Sequence, residues 1–236
     1  MSDLHVLHRG STPLLVSLPH VGTWIPDDQR SRYVERAFDF EDTDWHLGRL
    51  YGFVREQGAS LIVPRASRYL VDLNRPPDDA PMYPGANNVE LCPMRFFNGD
   101  ALYREGWAPG AAEIARRVRQ YWQPYHDALR AELHRLPDLN LGTAGGASCA
   151  PVMRSALVDV LAGQTGFSHV ADGFFKGGYI TRHFGRPENG IHAVQLEMAR
   201  CCYMQETAPH AWDEARAAVV TPLLQRLVRT ILDWVP

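Results

Sequence analysis

The chain has 236 residues, 45% of them hydrophobic and 22% charged, and carries a formal net charge of −3 with a pI of about 6.4. One globular domain over residues 1–236 accommodates that length, and the near balance of charge offers no basic footprint for nucleic acid or an acidic membrane. Apolar runs at 14–18 and 61–63 each end at a proline, well short of the roughly 18 residues that suggest a membrane span.

The N-terminus lacks the basic and then apolar stretch of a signal peptide. Four cysteines (Cys92, Cys149, Cys201, Cys202) include an adjacent pair but no Cys-x-x-Cys spacing. Reduced thiols in a cytoplasmic protein are therefore expected.

In chain order, residues 14–18 (LLVSL) predict a buried strand that stops at Pro19, His20 and Gly22. Asp42 or Thr43 is expected to cap a helix reaching about Glu56, with Gly58 as its stop. Residues 59–63 predict a second strand and residues 68–73 a third, broken by Pro76 and Pro77. Residues 76–99, rich in Pro, Gly and Asn, form a long loop of the kind that is usually functional. From 111 to 136, Ile114, Val118, Tyr121, Trp122, Tyr125, Leu129 and Leu133 recur at helical spacing, which predicts a long amphipathic helix kinked at Pro124. A loop at 137–151, a short helix at 152–162, a strand at 191–198 and a closing helix at 211–234 complete the chain. Strands interleaved with helices argue for an α/β fold built on a mixed sheet flanked by helices.

Four segments could carry chemistry. His20 sits just past a strand's carboxyl end, where ligands gather in open α/β sheets; it is either a turn histidine or a metal ligand. Glu41, Asp42 and Asp44 crowd a helix start, where capping is the ordinary role. Arg68, Asn74 and Arg75 end a strand beside a proline. A planar guanidinium grips a carboxylate bidentately, so Arg75, with Arg68, is a candidate for an anionic substrate; ion pairing with Asp72 or Asp78 is the plain alternative. Gly177 and Gly178 precede Tyr179, Thr181, Arg182 and His183, without Walker or dinucleotide spacing. Glu197 falls in an apolar strand pattern, where a buried carboxylate needs a partner or a task such as general base.

The motifs SLPHVG-x-x-IP, DTDWH, RYLVDLNRPP, LPDLNLGTAGGASCAP, FKGGYITRHFG and HAVQLEMARCCYM resemble the N-formylglutamate deformylase (N-formylglutamate amidohydrolase) family from about residue 11 onward. The resemblance implies cleavage of N-formyl-L-glutamate to glutamate and formate, the last step of one bacterial histidine-degradation route. It also implies a fold similar to the zinc carboxypeptidases and one catalytic zinc. Carried over, His20 and Asp44 (rather than Asp42) resemble zinc ligands, and Glu197 the glutamate that activates the metal-bound water. Asn74 and Arg75 resemble the pair that binds a substrate carboxylate, with Arg182, beside Gly178, as a second clamp. The implied partner is a small dicarboxylate; no interface patch from which to read an oligomeric state is visible in one chain.

One departure stands out. The family pattern places a strand reading roughly Trp-Asp-Ala-His-Ser after the long helix, whereas here Leu133-His134-Arg135-Leu136 runs straight into Pro137. The missing histidine resembles a later ligand, so the zinc is left one short of the three protein ligands usual at a catalytic site. His134, His46, His183 or His192 are the substitutes to consider, or residues 134–139 to take the strand's place. The competing readings are a non-catalytic relative that binds a small dicarboxylate, and an amidohydrolase for another N-acyl amino acid.

Overall fold

The leucine- and valine-rich runs near the N-terminus form three strands, His5–His8 (β1), Leu15–Ser17 (β2) and Ser60–Pro64 (β3), in the order β1-β3-β2. A computed structural model describes residues 4–81, 89–135, 144–172 and 176–234. Ser60 donates its N–H to the Leu14 carbonyl, and Leu18 to that of Ile62. The numbers rise together, so β2 and β3 are parallel. Arg65 donates to the Leu4 carbonyl while Gly10 reaches Ser60 Oγ, so β1 runs antiparallel. The sheet is small and mixed, as expected. Central β3 is buried along nearly its whole length, which explains why its sequence shows no polar alternation.

The helices are Asp27–Arg30 (α1), Leu47–Leu50 (α2), Phe53–Glu56 (α3), Ala111–Arg117 (α4), Gln123–Arg135 (α5), Pro151–Ala162 (α6), Tyr179–Phe184 (α7) and Glu214–Leu232 (α8). The expected kink near Pro124 takes the form of a π-helical turn, Val118–Trp122, between α4 and α5. A proline has no N–H to give to the preceding turn, and widening that turn relieves the clash of its ring. In α8, Asp213 caps the first turn by accepting from the Arg216 N–H. No helix among the described residues is long and apolar enough to cross a membrane.

Two compact units are distinguished. The first comprises Met1–Leu7, Ser17–Trp45 and Ile62–Ala131, and its core joins Ile25, Tyr33, Ala37, Tyr69, Phe96, Leu102 and Tyr103. The second comprises His8–Val16, His46–Leu61 and Glu132–Pro236. There α6 packs on α8, whose buried face runs through Ala217, Val220, Leu224, Val228 and Ile231.

Three expected elements differ. The helix from 42 to 56 is two separate turns, α2 and α3, because His46 takes a left-handed φ of 62° that no continuous right-handed helix admits. Residues 68–73 form a turn rather than a strand: Leu70 donates back to the Ser67 carbonyl. Tyr69, Leu70, Val71 and Leu73 are all buried, and a short apolar run does not by itself distinguish a strand from a compact turn. Residues 191–198 form no strand; Ile191 makes a lone bridge with Arg186, and Leu196 and Glu197 are exposed. A strand exists only where a neighbour completes its ladder, and among the described residues this segment has none. Of residues 134–139, considered as a replacement strand, 134 and 135 end α5, and 136–139 lie outside the described residues.

Gly22 explains part of the first motif. A Cβ there would lie 2.1 Å from the Ala66 carbonyl oxygen, which the parallel bridge between Trp24 and Ala66 holds in place. Gly22→Ala is expected to destabilise the fold by about 1–3 kcal/mol, read as a lowered urea midpoint; an unchanged midpoint would mean that the backbone yields without cost.

Candidate active site

In the first unit, β2 ends at Ser17 and the chain turns at Pro19 and His20, which delivers the imidazole past the strand's carboxyl end. The Asp44 N–H donates to the His20 carbonyl and brings the acidic stretch alongside. His20 Nε2 lies 2.8 Å from Asp72 Oδ1, and Nδ1 lies 3.5 Å from Asp44 Oδ2. Asp44 thus faces the ring, whereas Asp42 is buried and accepts from the Phe97 N–H. Of the two aspartates weighed from sequence, the geometry brings Asp44 to His20.

Asp72 is the hub of this cluster, and its part was visible in sequence only as a possible pairing partner. It accepts from His20, from Arg68 Nη2 at 2.8 Å and from the Asn74 N–H at 2.9 Å. Burial pushes its carboxyl up, but the His20 and Arg68 charges together with these hydrogen bonds hold it well below the usual carboxylate range. On His20, burial and the Arg68 guanidinium push downward. The Asp72 charge and hydrogen bonds to Asp44 and Asp72 outweigh them and lift the imidazole to about 9. The Arg68 guanidinium takes the ion-pairing alternative with Asp72 and lies over the Phe97 ring at 4.6 Å.

The turn carrying Asn74 and Arg75 is held from the long helix by three side-chain donors to backbone. Arg117 Nη1 gives to the Leu70 carbonyl at 3.0 Å, His126 Nε2 to that of Leu73 at 2.8 Å, and Trp122 Nε1 to that of Arg75 at 2.9 Å. His126 and Trp122 are stacked with centroids 3.8 Å apart. The π-helical turn that ends at Trp122 sets this spacing. The buried Arg117 also bonds Glu113, Tyr103 and Gln29. These supports were missed from sequence, where Trp122 read as core and Arg117 and His126 drew no notice; a buried arginine opposite helical glutamate was the available signal.

In the second unit the two later motifs are knitted together. Gly178 donates its N–H to Gln195 Oε1 at 2.7 Å, and Gln195 Nε2 donates to Glu197 Oε1. Arg182 Nε donates to the Gly177 carbonyl at 2.8 Å. Gly177 has a φ of +106°, and a Cβ there would meet Thr181 Cγ2 at 2.5 Å, so glycine is required on both counts. Glu197 corrects the expectation of a buried carboxylate: without a ladder it stands exposed, accepting from Gln195.

His20 and Asp44 supply two donors, and Asp72 is already committed to Arg68 and the Asn74 N–H. No group of three metal-ligating side chains occurs among the described residues. Of the substitutes, His46 Nε2 bonds the His210 carbonyl, His192 Nδ1 accepts from the Ala150 N–H, and His183 stacks on Tyr179. The side chain of His134 lies outside the described residues. The donor set described does not fit a catalytic zinc with three protein ligands.

The profile of the N-formylglutamate amidohydrolase family matches residues 12–137 and 134–204. The match breaks at the point where the Trp-Asp-Ala-His-Ser segment would lie. A curated N-formylglutamate deformylase of Pseudomonas putida is 44% identical over 261 aligned positions, covering 99% of this chain and 97% of the relative. One from Pseudomonas aeruginosa is 42% identical, covering 99% and 98%. Those alignments are longer than the 236 residues here, so some residues of the relatives have no counterpart. Among solved structures, the N-formylglutamate amidohydrolase of Ralstonia eutropha superposes with a TM-score of 0.80 at 22% identity, covering 96% of this chain and 98% of that one. A gene product of Agrobacterium tumefaciens gives 0.68 at 14%, covering 98% and 95%. With a profile match across most of its length and two relatives above 40% identity over nearly all of it, the chain belongs to the N-formylglutamate amidohydrolase family.

Proposed function

We propose that the chain hydrolyses N-formyl-L-glutamate to L-glutamate and formate, as a single-domain cytoplasmic enzyme of histidine breakdown. The observation that carries this is the identity of 44% and 42%, over almost the whole chain, to relatives named for that activity. Water adds to the formyl carbon and the C–N bond breaks. In this reading Glu197 takes the proton from the attacking water and returns it to the departing nitrogen. Arg75 with Asn74, and Arg182 beside Gly178, hold the two carboxylates of the substrate so that the formyl group is oriented for attack. Arg68 acts at one remove, through Asp72.

The zinc and the carboxypeptidase-like fold rest on the family resemblance. His20 and Asp44 would be the protein ligands to that zinc, one fewer than usual, and no step above is routed through it. The missing donor favours a second reading, a relative that binds a small dicarboxylate without turning it over.

The deciding experiment measures formate release from N-formyl-L-glutamate, with an Arg75→Ala variant alongside. Release is expected from the native chain, and Arg75→Ala is expected to raise KM by roughly ten- to a hundredfold with a smaller change in kcat. Binding of glutamate with no formate would establish the second reading instead, and an unchanged KM would remove Arg75 from substrate binding.

A further inference from the structure

The adjacent thiols of Cys201 and Cys202 take no part in the reading above. Both lie in one 3-10 turn of the second unit, Arg200–Cys202; Cys201 is exposed, Cys202 half-buried, and both are free thiols. The backbone of the turn is closed by the Cys202 N–H to the Ala199 carbonyl at 3.0 Å and by the Met204 N–H to the Arg200 carbonyl at 2.9 Å. From α8, Arg216 Nη1 donates to the Cys201 and Met204 carbonyls, both at 3.2 Å, and Arg216 is itself paired with Asp213. The two thiols are carried by consecutive residues of this one turn. The frame that presents them is therefore ordered before any ligand arrives, which lowers the entropy lost on chelation.

We propose that Cys201 and Cys202 form a chelating dithiol for trivalent arsenicals of the R–As=O class. Two As–S bonds form, the As=O bond breaks, and the two thiol protons leave with that oxygen as water; arsenic remains trivalent and nothing is oxidised. Each sulfur bonds arsenic as its proton leaves; the exposed Cys201 is open to make the first bond, and Cys202 closes the chelate. A disulfide between neighbours must close a small ring through their own peptide bond; inserting one arsenic atom enlarges that ring and lengthens its bonds. The pair thus favours bridging by a soft atom over direct oxidation. Cys92 and Cys149 are buried, and neither has a cysteine next to it in sequence.

The test adds phenylarsine oxide to the full chain and follows intact mass and free thiols. One adduct per chain with loss of two titratable thiols is expected. Cys201→Ser and Cys202→Ser, each checked for native circular dichroism, should weaken retention by roughly a hundred- to ten-thousandfold, because each removes one arm of a chelate. No adduct on the native chain, or retention by either serine variant as strong as that of the native chain, would overturn the assignment. The readout is independent of formate release, so it stands or falls apart from the hydrolase reading.

Discussion

Asp72→Asn is expected to lower the free energy of unfolding by about 3–5 kcal/mol, the usual cost of breaking a buried charge pair by removing one partner. Asp72 is 2% exposed and stands between two cations, His20 and Arg68. The amide is of nearly the same shape, so the loss is one of charge compensation rather than of volume. The pH dependence of stability in the metal-free chain should change with it. The depressed carboxyl of Asp72 contributes stability that is present above about pH 4 and is lost as pH falls toward its lowered value. The imidazole of His20 is raised, so its contribution is complete below about pH 6.5 and is lost as pH rises through about 9. Urea unfolding of the native chain should therefore weaken from pH 6 to pH 9, and Asp72→Asn should lose most of that slope. A native-like midpoint and slope in the variant would show that His20 and Arg68 are compensated elsewhere.

Glu197→Gln is expected to reduce formate release by roughly a hundred- to ten-thousandfold, the contribution typical of a positioned general acid–base. Because Glu197 is exposed, the substitution should change stability by no more than about 0.5 kcal/mol, so a fall in rate will not be a folding effect. Substrate binding, followed by calorimetry, should persist, since Arg75 and Arg182, the proposed carboxylate clamps, are untouched. Turnover close to that of the native chain would remove Glu197 from the chemistry and leave Gln195 and Gly178 as a purely structural knot.

Much of the first unit was legible before any coordinates. The strand ending at His20 and the long helix with its disturbance before Pro124 both follow from apolar spacing and from proline's missing donor; residues 82–88 of the expected loop lie outside the described residues. The partners of His20 were less legible. Asp44 was preferred over Asp42, but nothing in the spacing of residues 68–75 distinguishes a strand from the turn that aims Asp72 at the imidazole. The second unit shows the limit more clearly. Residues 191–198 have the alternation of a strand, yet pattern supplies only the willingness to pair, and pairing needs a neighbour.

The residues alone determined the family of the chain, the positions of its motifs and the absence of one motif, because each is a property of order along the chain. The requirement for glycine at 177, by contrast, follows from its φ of +106° and the approach of Thr181 in the folded chain. Tertiary structure decided that His20 is flanked by two carboxylates, that Asp72 rather than a substrate occupies Arg68, and that three donors from one helix hold the turn of Asn74 and Arg75. It also decided that Glu197 meets solvent. Those outcomes depend on which groups satisfy one another once water is removed, and removing water from distant residues together is something only the folded chain does.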